Sequence, residues 1–158
     1  MKLDRTEDIR IRCERVSRGI SEGETVVTSQ PMCLYDSLDP VTGYIVNRRH
    51  ELYGKCVSGR ILFFPYGTGS STSAATILEA SRRGKAPSAI INLETEPIIA
   101  VGALLAERLY GNTIPIVHKP EVDPTEIIRH HSIRVNGDKG FIQILKPEKH
   151  LSTNRTNE

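Results

Sequence analysis

The sequence lacks the features that mark several classes of protein. Its net charge is only +2 over 158 residues, and its basic residues occur in short pairs such as Arg48-Arg49 and Arg82-Arg83. Because a nucleic-acid or anionic-membrane surface needs a continuous group of cations, neither kind of surface is predicted. No run approaches the roughly 20 apolar residues of a transmembrane helix, and the charged N-terminus has no apolar core. We therefore expect a cytoplasmic protein.

Cysteine is also sparse. The three residues Cys13, Cys33 and Cys56 show no Cys-x-x-Cys spacing, which argues against a zinc site or a self-contained iron–sulfur site. The adjacent residues His130 and His131 have no third ligand nearby and diverge on a helix, so a metal site is not predicted there either. We expect free thiols and no metal bound by this chain alone.

The composition that remains is that of an ordinary globular domain, with 38% hydrophobic and 25% charged residues. A chain of this length forms about one domain and buries a single core. We expect that domain over residues 20–146. A partly ordered N-terminal segment, residues 1–19, should precede it, and a disordered polar tail, residues 147–158, should follow it.

The most informative stretch covers residues 61–73. Its first four residues are apolar and predict a buried strand, which Pro65 ends. Gly67 and Gly69 permit a tight turn, and the serines after them open a helix that we expect over residues 70–83. The unpaired backbone N–H groups at such a helix start favour an anion or a developing oxyanion.

Two interpretations of this glycine-rich turn stay open. It is either only a capped helix start, because Ser is a preferred N-cap residue, or a functional site. A phosphate-binding P-loop is excluded because no lysine follows the glycines, and a dinucleotide-binding fingerprint is excluded because its third glycine is missing.

Strands and helices alternate after this stretch. Short strands at residues 86–91 and 114–117 flank a second helix, expected from Pro97 to Tyr110. Together with the strand at 61–64 and the helix at 70–83 they predict a β-α-β-α-β unit with parallel strands, hence an α/β fold. The second helix is apolar nearly all round, so it should be buried on more than one side, in the domain or against a partner.

The flanking segments predict further β-structure. A long loop at residues 30–49 is uncommon inside a compact domain unless it is functional or partly structured, so it is a second candidate for the site. The remaining expectations are a strand beginning at residues 9–13, a turn at 19–23, a strand at 24–28, a bent strand or strand pair at 55–64, a short helix at 125–130, and a hairpin that pairs residues 133–135 with 141–144.

His50 follows the long loop. A lone histidine is more often a hydrogen-bonded structural residue than a catalyst, although it titrates near neutral pH. Both roles stay open at this point.

Several motifs, taken in their order along the chain, resemble the small, swivelling subunit of the aconitase X family. The resemblance covers about residues 20–145 and is specific because uncommon pieces occur in the right order. The matching pieces are Leu38-Asp39-Pro40-Val41-Thr42-Gly43, Arg49-His50-Glu51-Leu52-Tyr53-Gly54, Gly59-Arg60-Ile61-Leu62-Phe63-Phe64-Pro65, Gly67-Thr68-Gly69-Ser70-Ser71, Gly84-Lys85-Ala86-Pro87 and Asn92-Leu93-Glu94-Thr95-Glu96-Pro97-Ile98-Ile99-Ala100-Val101-Gly102-Ala103.

The resemblance implies a swivelling β/β/α domain that closes over a large subunit, giving a heterodimeric hydro-lyase. The large subunit is expected to carry the iron–sulfur cluster, of the 4Fe-4S type, so this chain alone would bind no cofactor. Ser70 stands at the family's proton-acceptor position. Gly67, Gly69, Ser71 and His50 are the expected substrate-binding or oxyanion-supporting residues.

The likeness also bears on the substrate. Residues 94–102 look more like archaeal phosphomevalonate dehydratases, which is the activity we expect, whereas residues 105–112 look more like bacterial cis-3-hydroxy-L-proline dehydratases. A non-catalytic binding module of the same fold is the third possibility. Thr68 stands where the family often has Arg or Lys, and residues 36–38 replace the usual glycines, so both positions bear on substrate preference.

Overall fold

The centre of the fold consists of short parallel strands whose side chains are buried on both faces. A computed structural model describes residues 9–146, so the expectations for residues 1–8 and for the polar tail 147–158 lie outside the described residues. In chain order the elements are strands β1 (Arg10–Arg12), β2 (Glu14–Ser17) and β3 (Ile20–Val27), helix α1 (Leu34–Ser37), strand β4 (Ile61–Phe63), helix α2 (Thr72–Arg82), strand β5 (Ala89–Ile91), helix α3 (Pro97–Tyr110), strand β6 (Ile116–His118), helix α4 (Thr125–Ile128), and strands β7 (Ser132–Asn136) and β8 (Phe141–Ile144).

The described strands form one mixed sheet in the order β1-β8-β7-β3-β4-β5-β6-β2. Strand β3 joins its two parts, because residues 20–24 pair antiparallel with β7 and residues 25–27 pair parallel with β4. Strands β4, β5 and β6 are parallel to one another and alternate with α2 and α3. The predicted β-α-β-α-β unit and the hairpin of β7 and β8 are therefore confirmed.

Successive residues of the parallel strands face opposite layers. Leu62 and Ile90 pack in a core with α2 and α3, whereas Ile61, Phe63 and Ile91 pack in a second core with the antiparallel strands and α4. Strands covered on both faces have no solvent side that would require polar residues, which explains their uninterrupted apolar sequence. The result is the expected arrangement of two β layers and one helical layer.

Two expectations about local structure are wrong. Residues 19–23 were expected to turn, but β3 begins at Ile20, because β7 supplies a continuous ladder of partners. Residues 55–60 were expected to form strand, but β4 begins only at Ile61. The backbone of this segment bonds instead to the preceding loop, where Ile45 N–H donates to Lys55 O at 2.9 Å and Val57 N–H donates to Gly43 O at 2.8 Å.

The chain before residue 20 contributes both outer strands of the sheet. The alternating residues 9–13 form β1 as expected, and β1 pairs with β8 while β2 pairs with β6. A domain boundary at residue 20 stays a prediction. The long loop at residues 30–49 was expected to be functional or partly structured. It is partly structured, because it contains α1 and buries Met32 and Leu34 in the core beneath the helical layer.

Helix α3 has the predicted bounds, with Pro97 in its first turn and Gly111 ending it in the left-handed conformation. Of the two expected ways of burying it, cover by this domain extends over one side only. Ile99 and Ala103 are buried, but Leu104 and Leu109 are 55% and 60% exposed, so the domain covers only one face of the helix. Cover by a partner stays a prediction. Within the described residues, no helix has the length and apolar character needed to span a membrane.

We predict that replacing Gly102 by Val destabilises the fold. Helices α2 and α3 meet at this residue, where an added Cβ would lie 3.1 Å from the Cα and O atoms of Ala74 and from Cβ of Ile77. Pushing the two helices apart should lower the free energy of unfolding by ~1–3 kcal/mol in urea titrations. The exposed control Ala75→Val should change it by less than about 0.7 kcal/mol. Equal values for the two variants would contradict the tight helix contact.

Candidate functional site

The candidate site lies where the chain leaves three neighbouring parallel strands. The glycine-rich loop, residues 65–71, follows β4, while residues 92–96 follow β5 and residues 28–33 follow β3. The carboxyl ends of parallel strands meet at the same edge of a sheet, which is where open α/β sheets bind ligands. The long loop and the glycine-rich turn, two separate candidates in the sequence, are thereby brought together.

Backbone hydrogen bonds fix the glycine-rich loop to both neighbouring segments. Met32 N–H donates to Tyr66 O and Thr68 N–H donates to Met32 O, each at 3.2 Å. On the other side, Leu93 N–H donates to Pro65 O at 2.9 Å. The loop is therefore held at its base, although Thr68 and Gly69 at its tip are exposed to solvent.

The sequence predicted that the helix begins at Ser70, but in the structure Ser70 precedes it. Helix α2 begins at Thr72, Ser71 is its N-cap residue, and no side-chain cap bond is made there. Ser70 has a φ of 135°, which is outside the helical region, and its Oγ accepts a hydrogen bond from Thr72 N–H at 3.2 Å. This local bond competes with helix formation, which explains the later start. A strained non-glycine φ is a feature that clusters at functional sites.

The two glycines of the loop meet different requirements. Gly69 has a φ of 74°, a conformation that residues with a side chain adopt rarely. Gly67 is needed for close approach, because a Cβ there would collide with Oε2 of Glu96 and lie 3.3 Å from Cδ1 of Ile99. Gly69 thus supplies the positive φ of the predicted tight turn, and Gly67 allows a close approach. The surface that approaches Gly67 belongs to this chain.

Glu96 is the residue that sequence reasoning left out of the site. A buried network holds its segment in place, in which Asn92 Nδ2 donates to Phe64 O at 2.9 Å and Thr95 Oγ1 donates to Asn92 Oδ1 at 3.0 Å. Thr95 N–H donates to Nδ1 of His118 at 3.0 Å. The available signal was its position, since Glu96 follows the carboxyl end of β5 just as the glycine-rich loop follows β4.

His50 is buried and contacts the segment that binds the glycine-rich loop, not the loop itself. Its Nδ1 accepts a hydrogen bond from Leu52 N–H at 3.1 Å, so Nε2 carries the proton and donates to Pro31 O at 3.2 Å. Both ring nitrogens are therefore occupied by the main chain. Pro31 directly precedes Met32, whose backbone binds the glycine-rich loop.

The described residues do not provide the ligands of an iron–sulfur cluster. Cys13, Cys33 and Cys56 are free thiols, and within residues 9–146 no three His, Cys, Asp or Glu side chains are grouped so as to hold a metal ion. Burial, with a smaller contribution from Glu121, raises the pKa of Cys13 to about 12, which disfavours the thiolate that a metal ligand requires. The Cys33 thiol instead donates to Gly69 O at 3.2 Å.

Comparison with known proteins places this arrangement in a family. The model of the aconitase X swivel domain matches residues 10–144. The small subunit of phosphomevalonate dehydratase from Methanosarcina acetivorans is 40% identical over 141 residues, which cover 89% of this chain and 94% of that protein. The corresponding subunit from Archaeoglobus fulgidus is 37% identical over 139 residues and is covered completely.

A solved structure agrees with the sequence matches. A chain in the crystal structure of holo aconitase X from Thermococcus kodakaraensis superposes with a TM-score of 0.79 at 30% identity, covering 87% of this chain and 99% of that one. The resemblance drawn from the motifs is thereby confirmed across nearly the whole length of the relatives. The protein belongs to the aconitase X swivel-domain family.

Proposed function

We propose that this chain is the small subunit of a two-subunit cytoplasmic hydro-lyase that dehydrates (R)-5-phosphomevalonate to trans-anhydromevalonate 5-phosphate. The observation that carries the proposal is the similarity to archaeal phosphomevalonate dehydratase small subunits over 94% of the length of one of them. We place the 4Fe-4S cluster on the large subunit, as the resemblance to the aconitase X family implies.

The part of the reaction that we assign to this chain is proton removal by Ser70. Dehydration of a hydroxy acid requires a base that takes a proton from carbon. Ser70 Oγ lies in an exposed loop at the edge of the sheet, and α2 begins two residues later. A helix N-terminus contributes ~0.3–2 kcal/mol to a nearby anion, and one pKa unit corresponds to about 1.4 kcal/mol, so α2 would favour the alkoxide by about one unit. More assistance is therefore required than α2 supplies.

The large subunit is the partner that this proposal requires. The loop tip at Thr68 and Gly69 is exposed, so a closed active site needs another surface over it. We propose that Gly67, Gly69 and Ser71 contact substrate or its developing oxyanion and that His50 supports them through Pro31 and Met32. The exposed apolar face of α3 is a second surface that a partner would cover.

A second candidate substrate is cis-3-hydroxy-L-proline. The observation that favours it is the segment at residues 105–112, at the end of α3, which looks more like that of bacterial dehydratases acting on this compound. A non-catalytic module of the same fold is the remaining alternative. Turnover of each compound by the reconstituted complex distinguishes the three.

The first prediction of this proposal concerns assembly. The isolated chain should fold and be colourless but inactive, and mixing it with the large subunit should produce dehydration of (R)-5-phosphomevalonate, measured by mass spectrometry of the product. Stoichiometric cluster binding and turnover by the isolated chain would contradict the two-subunit assignment. Turnover of cis-3-hydroxy-L-proline alone would move the assignment to the second substrate.

The second prediction concerns Ser70. Ser70→Ala should abolish kcat in the complex, because it removes the base, while it keeps a Cβ at the strained φ and loses only the bond from Thr72 N–H. The free energy of unfolding of the variant should fall by only ~0.5–1.5 kcal/mol. Ser71→Ala is the matched control and should have a smaller effect on kcat. If the Ser70 variant keeps a near wild-type kcat, Ser70 is not the base, and the turn is only a capped helix start.

The third prediction concerns His50. His50→Ala leaves Leu52 N–H and Pro31 O without their partners, so urea titration should show a loss of ~1–3 kcal/mol in the free energy of unfolding. Its exposed neighbour offers a control, and Arg49→Ala should change stability by less than about 0.5 kcal/mol. An unchanged stability combined with a large loss of kcat would mean that His50 acts on the substrate.

A further inference from the structure

The carboxylate of Glu96 lies against the glycine-rich loop and has no partner among residues 9–146. Its Oε2 occupies the space beside Gly67 that a side chain would fill, and its Oε1 is 3.8 Å from the Cβ position of Gly69. Among the described residues, this carboxylate accepts no hydrogen bond and forms no ion pair. Carboxylates placed against protein backbone usually have such partners, so an unused acceptor beside the candidate loop needs an explanation.

Ser70, the residue directly after Gly69, has the complementary property. Its Oγ accepts the bond from Thr72 N–H, but in the part of the chain that the structure describes its hydroxyl proton is donated to no other group. Within the described residues, the Ser70 hydroxyl is thus a donor without an acceptor. It directly follows Gly69, whose backbone lies beside the carboxylate of Glu96, an acceptor without a donor. Apo enzymes often show such catalytic pairs before their final hydrogen bond forms.

The position of Glu96 is specified by the surrounding structure. The segment that carries it is tied to the base of the glycine-rich loop through Asn92, which is fully buried, and through the bond from Leu93 N–H to Pro65 O. Pro97 starts α3 directly after it, and Ile99 N–H donates to Glu96 O at 3.0 Å.

We propose that Glu96 is a positioning residue that accepts the hydroxyl proton of Ser70 while Ser70 takes the proton from the substrate carbon. This inference rests on the proposed function. The substrate C–H bond breaks and its proton goes to Ser70 Oγ, while its electron pair forms the new C=C bond as the C–O bond breaks and hydroxide departs. The Ser70 O–H proton goes to Glu96, and the departing hydroxide then takes that proton and leaves as water.

This pairing meets a need that α2 alone leaves unmet. A helix start favours a serine alkoxide by only about one pKa unit, whereas a carboxylate beside the hydroxyl can take the hydroxyl proton as the substrate proton arrives. With Glu96 as the final acceptor, Ser70 removes a proton without first becoming a free alkoxide. Ser70 gains one proton from the substrate and passes one to Glu96, and Glu96 is a carboxylate again once the departing hydroxide has taken that proton.

The test uses the reconstituted two-subunit complex with (R)-5-phosphomevalonate. Glu96→Gln keeps the size and packing of the side chain but is no proton acceptor, so kcat should fall by about 10²–10⁴ while KM changes little. Glu96→Asp should restore part of kcat. Glu94→Gln is the matched control, because Glu94 is exposed on the same segment and contacts Lys119 instead, and its kcat should equal that of the wild type.

Coupling between the two residues gives a further readout. The variant Ser70→Ala with Glu96→Gln should be no slower than Ser70→Ala alone, because both changes remove the same step. Additive losses in the double variant, or a wild-type kcat for Glu96→Gln while Ser70→Ala is inactive, would overturn the role of Glu96 and leave the proposed function intact.

A chemical probe separates the pairing from the proposed function. Phenylmethylsulfonyl fluoride should modify Ser70 in the wild-type complex, detected by peptide mass spectrometry, and Glu96→Gln should slow that modification at least tenfold while Glu94→Gln leaves it unchanged. The pairing would be overturned if Ser70 is modified at the same rate in the wild type and in Glu96→Gln, or if Ser70 is not modified at all. Normal labelling in a complex that dehydrates neither candidate substrate would instead overturn the proposed function and keep the pairing.

Discussion

The buried amide of Asn92 is the interaction on which the candidate site depends. Its Nδ2 binds the carbonyl of Phe64 and its Oδ1 accepts from Thr95, so one side chain links the ends of β4 and β5. A buried polar group left without a partner costs ~1–3 kcal/mol, which makes this link hard to rearrange. Because the glycine-rich loop leaves from Phe64 and Glu96 follows Thr95, the same link sets their separation.

Burial of the parallel strands on both faces explains why this edge of the sheet is available for a site. The helical layer covers one face of β4 and β5 and the antiparallel strands with α4 cover the other, so these parallel strands have no free face. Polar and strained residues are then excluded from the strands and collect in the loops beyond their carboxyl ends. Ser70, Gly69 and Glu96 all lie there, on backbone that is hydrogen-bonded at its base.

The site is organised but open, which agrees with the behaviour expected of a swivelling domain. Its chemistry-bearing groups are presented on an exposed loop, and the apolar side of α3 remains uncovered by the domain. This division would leave proton transfer to the small subunit and the Lewis acid to the large one. In that proposal the small subunit contributes Ser70 and Glu96, and the large subunit contributes the cluster.

The sequence by itself determined the elements whose signals are local. Helix α3 was predicted with correct bounds because Pro97 favours a helix start and Gly111 favours a helix end. The buried strands were predicted because short apolar runs bounded by turn residues are typical of such strands. The family followed from rare motifs in order, and the glycine-rich turn was recognised as a candidate site from its residues alone.

Only the tertiary structure decided what depends on residues distant in the chain. Strand β3 extends through residues expected to turn because β7, more than a hundred residues later, pairs with them. The loop that ends at Ser70 is held by a segment more than thirty residues earlier, since Thr68 N–H donates to Met32 O and the Cys33 thiol donates to Gly69 O. The need for glycine at position 67 comes from Glu96, which approaches through the packing of α3 on the sheet, and no local pattern around Gly67 contains that contact.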